Sequence, residues 1–177
     1  VLLIPGRERA KWTALWGALI QLIAALVLLW LYFAERKAGN SNTLLFEHSY
    51  NWFPAWNIGF HVGVDGIALS MILLTSFVVI AGVLVSWQVK KLQKEFFFLL
   101  MLLSLGAYGF FISLDLFTLF FFLEVAVIPK YLLIGIWGSG KKEYSANKLA
   151  LMLMAGSALI LVGMLGLYFA MPEAQRS

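Results

Sequence analysis

The stretch Ser113-Leu-Asp-Leu-Phe-Thr-Leu-Phe-Phe-Phe-Leu-Glu124-Val-Ala-Val-Ile-Pro129-Lys130-Tyr-Leu-Leu-Ile-Gly-Ile-Trp137 is apolar over the length that crosses a bilayer, yet carries a carboxylate near its middle. About ten residues, each rising about 1.5 Å, separate Glu124 from either end, so its short side chain reaches neither interface. A carboxylate at that depth costs about 3 kcal/mol even on the most lenient insertion scale. Glu124 is therefore either a proton-binding group or one half of an internal ion pair.

The composition describes the surroundings of that residue. Hydrophobic residues make up 62% of the 177 residues and charged ones 12%, and the mean hydropathy is +0.90. That is too little polar surface to clothe a water-soluble globule, and the apolar residues fall in long runs. The expected fold is an all-α, polytopic transmembrane helix bundle. With no cysteine, disulfides, thiolate metal sites and iron–sulfur ligation are excluded, and two separated histidines do not suggest a haem or zinc site. No cofactor is expected in this chain. The net charge of +4 does not imply a nucleic-acid partner, because the basic residues sit in short clusters at the ends of apolar runs. The bilayer is the expected partner.

Five spans are read along the chain, at about 12–34, 66–87, 96–112, 114–137 and 146–170, making residues 1–177 a single membrane segment. The opening Val1-Leu-Leu-Ile-Pro-Gly reads as the tail of a hydrophobic element. The first span is longer than a signal-peptide core, and no Ala-x-Ala site follows it. Residues 35–65 read as one long loop, turn-rich at Gly39-Asn-Ser-Asn42 and Pro54, with Trp52, Phe53, Trp56 and Phe60 interleaved at the headgroup level. Asp65 is placed to cap the second span. The break at Ser113-Leu-Asp115 is so short that the third and fourth spans form an antiparallel pair, with Ser113 or Asp115 as the cap.

The alternation of five spans puts Arg7, Arg9, Lys11, Lys90, Lys91, Lys94, Lys141, Lys142 and Lys148 on one side and only Arg36, Lys37 and Arg176 on the other. This bias places the N-terminus in the cytoplasm, or in the matrix or stroma of an organelle. A bacterial inner membrane is the expected location, an organelle inner membrane the alternative. Gly135-Ile-Trp-Gly-Ser-Gly140-Lys141 matches part of a phosphate-binding loop, but Lys142 stands where Ser or Thr is required and a membrane span precedes it. His48 and His61 read as interfacial residues, with proton uptake as the alternative. Ala155-Gly-Ser-Ala158 and Gly163-x-x-Gly166 are small-residue patches that let helices approach closely. The runs Phe96–Phe98 and Phe120–Phe122 cover too much of the helix circumference for a cofactor box and read as packing bulk.

Lys130 is the nearest cation in sequence to Glu124. Six positions along a helix amount to about 9 Å of rise and roughly 120° of rotation, so the two side chains leave on different faces. Pro129 removes an intrahelical bond, frees the Val125 carbonyl and can bend the helix between them. Lys130 has two readings, an intramembrane role and snorkelling to the basic side.

Phe60-His-Val-Gly-Val-Asp-Gly-Ile-Ala-Leu-Ser70, Ser113-Leu-Asp-Leu-Phe117 and Phe121-Phe-Leu-Glu124-Val-Ala-Val-Ile-Pro129, running on to Gly135-Ile-Trp-Gly138, together carry a resemblance. The sequence resembles the antiporter-like membrane subunits of proton-pumping NADH:quinone oxidoreductase (respiratory complex I), a family related to Mrp-type cation/proton antiporters. Its subunit M, called subunit 4 in organelles, is the nearest branch. The resemblance covers about the first third of a family member, minus its first helix, so a fragment is expected. It implies that Glu124 is the family's intramembrane glutamate in a proton relay and that Lys148 matches a lysine at the start of the next helix. Lys130 stands where the family usually has an uncharged residue. It further implies that other membrane subunits are the partners, and that NADH, flavin, iron–sulfur clusters and quinone belong to other subunits. The lysine that partners Glu124 is expected outside this chain. Two alternatives from other classes remain: a sodium/proton antiporter subunit of Mrp type, and a non-transporting scaffold in which Glu124 is a static ion-pair anchor.

Overall fold

The computed structural model describes residues 7–39, 42–53 and 58–170. Val1–Gly6, Asn40 and Ser41 of the expected Gly39–Asn42 turn, residues 54–57 with Pro54 and Trp56, and residues 171–177 with Arg176 lie outside the described residues. Five helices carry the fold: α1 Arg7–Lys37, α2 Gly66–Val85, α3 Gln93–Ile112, α4 Leu116–Trp137 and α5 Lys142–Ala170. All five are long and apolar enough to cross a membrane, and the protein is an integral membrane protein. A 3-10 turn, Ser86–Gln88, follows α2.

Three of the helices start before the apolar runs do, α1 at Arg7, α3 at Gln93 and α5 at Lys142. The helical hydrogen-bond ladder is indifferent to the hydrocarbon boundary, and Lys, Glu and Arg are good helix formers. α4 instead starts later than expected, at Leu116, because Asp115 is its cap: Asp115 Oδ1 accepts from the Thr118 backbone N–H at 2.7 Å. Asp65 caps α2 in the same way, accepting from the Ala68 N–H at 2.6 Å.

Residues 35–65 are not one irregular loop. Two antiparallel strands, β1 Leu45–Phe53 and β2 Ile58–Val64, pair as a hairpin between α1 and α2. The strict alternation Ile-Gly-Phe-His-Val-Gly-Val in β2 is the physical reason, since it presents apolar side chains to one face only. The hairpin is fastened to the α3–α4 turn. The Leu114 N–H donates to the His61 carbonyl at 3.0 Å, and the His61 N–H donates to Asp115 Oδ2 at 3.2 Å.

The core sits among α1, α2 and α3. Ala14 and Ala18 of α1, Val79 and Val83 of α2 and Phe97 of α3 form one buried cluster. Ala10, Ala14, Ala18 and Ala25 are each no more than 4% exposed, and their spacing lays a stripe of small side chains along one face of α1. A second cluster, Val64, Ala68 and Leu69 with Leu28, Leu29, Tyr32 and Ile112 around it, closes the end beneath the hairpin. α3 and α4 pack through glycine. A Cβ on Gly106 would stand 2.9 Å from Ala126 Cβ, and one on Gly109 would strike the Phe122 ring.

Candidate functional site

Glu124 lies within about one turn of the middle of α4. Ala126, two residues on, faces Gly106 of α3. Glu124, about 200° of rotation away from Ala126, faces away from α3. Its Oε1 is buried and has no hydrogen-bond partner among the described residues. A buried carboxyl oxygen without a donor is the strongest chemical signal in the chain, because desolvating such a group costs more than desolvating a neutral one.

The cations proposed from sequence are not gathered around it. Lys130 is half-buried and Lys148 is exposed, and neither pairs with Glu124. Pro129 is fully buried in α4, in a helix that continues through it to Trp137. Lys148 lines an open cleft of about 420 Å³ along α5 with Tyr144, Asn147, Leu151, Met152 and Ala155.

Polar side chains, of which the sequence reading singled out only Ser157 as part of a small-residue patch, are arranged across the bundle. The Gln21 amide Nε2 of α1 donates to Ser104 Oγ of α3 at 3.2 Å, and Ser104 Oγ donates to the Met101 carbonyl at 2.7 Å. Ser76 of α2 and Tyr108 of α3 share a hydrogen bond of 2.8 Å. Ser157 is buried on α5, which has only Ala146 as its other buried residue. Gln21, Ser76, Ser104, Glu124 and Ser157 each fall within about one turn of the middle of their own helix, so each of these five helices carries a polar group near its centre. The signal was a lone polar residue near the centre of an apolar run, which periodicity does not register. Tyr131 joins α4 to α5 on the Glu124 side, its hydroxyl donating to Asn147 Oδ1 at 3.1 Å. An open cleft of about 510 Å³ runs beside that bond, lined mainly by Val127, Ile128, Leu132, Leu151 and Met154.

Residues 113–175, which contain Glu124, the α4–α5 junction and Lys148, match the family described as NADH:quinone oxidoreductase/Mrp antiporter, transmembrane. The chain carries a segment that matches this family. Among its relatives, NAD(P)H-quinone oxidoreductase chain 4, chloroplastic, of Angiopteris evecta is 34% identical over 174 residues, covering 94% of this chain and 34% of the relative. NAD(P)H-quinone oxidoreductase chain 4-2 of Synechocystis is 31% identical over 169 residues, covering 94% of this chain and 30% of the relative. The chain thus spans about a third of the length of these relatives. Among solved structures, a chain of the membrane-bound sulfane sulfur reductase, an archaeal respiratory membrane complex, superposes with a TM-score of 0.62 at 23% identity, over 89% of this chain and 34% of that one. That likeness shows a shared fold.

Proposed function

We propose that this chain is a proton-translocating membrane element of a multisubunit complex of the NADH:quinone oxidoreductase type, with Glu124 as the group that takes up and releases the proton. The observation that carries this reading is the buried, unpartnered Glu124 Oε1 in the middle of a spanning helix. A carboxyl group held there without a fixed cation can change protonation state when a charge approaches or withdraws, which is what a relay requires. The relatives' names, NAD(P)H-quinone oxidoreductase chain 4, support the class of complex over a free-standing sodium/proton antiporter. Lys148 is the second relay candidate, and Lys130, half-buried and without an ion-pair partner among the described residues, is the third. In this reading electron transfer, with its NADH, flavin, iron–sulfur clusters and quinone, occurs in partner subunits. The basic loops face the cytoplasm of a bacterial inner membrane, or the corresponding compartment of an organelle.

The test is the proton-to-electron ratio of the intact complex in sealed vesicles. Glu124→Gln keeps shape and hydrogen-bonding capacity but removes the titrating proton, and is expected to lower proton translocation by about a hundredfold with assembly intact. A wild-type ratio in that variant would overturn the reading. Poor assembly with normal pumping in the assembled fraction would mark Glu124 as a static anchor instead, since a cation left without its partner is costly to bury. Lys148→Ala in the same assay is expected to give a partial loss; full pumping removes Lys148 from the relay. Orientation is checked by cysteines at the exposed positions Lys90 and Ser49, which should label from opposite sides of the membrane.

A further inference from the structure

Two loops on the basic face of the bundle, 89–92 between α2 and α3 and 138–141 between α4 and α5, are tied together by Trp137. Its indole Nε1–H donates to the Lys91 carbonyl at 2.7 Å, and its ring meets Phe96 edge-on with centroids 5.2 Å apart. The tie brings Lys90, Lys91 and Lys94 to the same corner of the molecule as Lys141 and Lys142. Of these, Lys142 is engaged, its Nζ donating to the Ile136 carbonyl at 3.0 Å at the end of α4. Lys90, Lys91, Lys94 and Lys141 pair with no carboxylate among the described residues, although Glu95 and Glu143 are adjacent in sequence. Counting both acids, the corner keeps five lysines against two carboxylates.

Gln93 gives the corner a second and independent feature. It is only 5% exposed, and its amide Nε2 is a buried donor with no acceptor among the described residues. With Leu92, Lys94 and Glu95 it lines a cleft of about 170 Å³. The residue before it, Leu92, adopts a left-handed backbone conformation with φ +45°, which turns the chain sharply between Lys91 and Lys94. A buried amide donor left without an acceptor is expensive, and an anion seated against it would remove that cost. The depth is also defined. Trp137 closes this corner, and Trp87 on the same face holds Lys11 over its ring at 5.8 Å and Trp12 edge-on at 5.4 Å. Tryptophans of this kind mark the headgroup level of a bilayer.

We propose that this corner is a binding site for the headgroup of an anionic phospholipid, with the phosphate accepting from the Gln93 amide and held between Lys91, Lys94 and Lys141. The site is on the opposite end of the helices from the hairpin and is independent of the proton-relay reading. A phosphate diester fits the chemistry because it carries one negative charge and several acceptor oxygens, matching one orphan donor and several unpaired ammonium groups. The lipid is the committed source, since the donors lie at the depth where headgroups reside.

The experiment uses the full-length protein in its membrane complex, titrated in mild detergent with phosphatidylglycerol or with phosphatidylcholine of the same acyl chains, and read by native mass spectrometry. Wild type is expected to retain at least one phosphatidylglycerol that the triple variant Lys91→Gln/Lys94→Gln/Lys141→Gln does not, with an apparent affinity lower by about a hundredfold in the variant. Gln93→Leu, which keeps every charge, should weaken the same binding event by about fivefold. Inorganic phosphate at millimolar concentration should leave the bound lipid in place. Equal retention of phosphatidylcholine, no change in the triple variant, no change in Gln93→Leu, or displacement of the lipid by inorganic phosphate would each overturn the proposal.

Discussion

The two halves of the bundle handle buried polarity in different ways. In α1–α3, polar groups at mid-helix find one another: Gln21 reaches Ser104, and Ser76 reaches Tyr108. In α4–α5, the carboxyl of Glu124 finds nothing among the described residues. The packing is closest in α2 and most open in α5, with 33% of the apolar stretch of α2 buried against 6% of that of α5, while α1 and α4 are alike at 17%. Gln21 Oε1 is also a buried oxygen without a partner, but it belongs to a neutral amide, and leaving it unpaired costs about 1–3 kcal/mol. An ionised carboxylate at the same depth costs far more, so Glu124 is the position where charge state and surroundings must change together. The first three helices resemble a finished core, whereas α4 carries a buried carboxyl oxygen with no partner among the described residues.

The seam between the halves is where that contrast is most easily broken. α3 meets α4 at Gly106, where an added Cβ would stand 2.9 Å from Ala126 Cβ and 3.1 Å from the Ala126 backbone nitrogen. Backbone cannot step aside as a flexible side chain can. Gly106→Val is therefore expected to cost about 3 kcal/mol by forcing the helices apart, the largest stability change among these substitutions. Thermal melting of the purified complex checks it. A variant as stable as wild type would mean that α4 is not seated on α3 through this contact.

How much of this was readable in advance depends on which interactions are local. The spans follow from runs of apolar residues, and the caps at Asp65 and Asp115 follow from a short acidic side chain directly before such a run. Glu124 was legible because a charge in hydrocarbon is costly whatever surrounds it. The hairpin was obscured by composition: Asn, Gly, Ser and Pro around Trp and Phe read as an interfacial loop, although the alternation in Ile58–Val64 carried a strand signal. The double role of Asp115, capping α4 while accepting from the His61 N–H, was beyond reach because its second partner lies 54 residues away. The pairs Gln21–Ser104, Ser76–Tyr108 and Tyr131–Asn147 were hidden for the same reason. Each polar residue alone is unremarkable, and only the packing of helices decides which two meet.

Those pairs allow a finer version of the comparison. Ser76→Ala removes the partner of the Tyr108 hydroxyl between α2 and α3, where Ser76 is fully buried. The hydroxyl is left unpaired and unfilled space is added, so a loss of about 1–2 kcal/mol is expected in the melting of the complex. No change would show that water or another donor reaches this seam, and that α1–α3 is less finished than its packing suggests.

Tyr131→Phe is the counterpart on the open side and should have the smallest effect of the set. It deletes the hydroxyl that donates to Asn147 Oδ1 between α4 and α5. Hydrogen bonds between membrane helices contribute about 0.6 kcal/mol on average, because the released groups usually find other partners. Here both ends are accessible, with Tyr131 39% exposed and Asn147 also exposed, so the Asn147 amide can turn to water or headgroups. A loss of about 0.6 kcal/mol or less is therefore expected, measured as the shift in melting temperature of the complex carrying the single substitution. A loss as large as that of Ser76→Ala would place Tyr131 and Asn147 in a dry, closed contact. α4 and α5 would then be held as firmly as α1–α3.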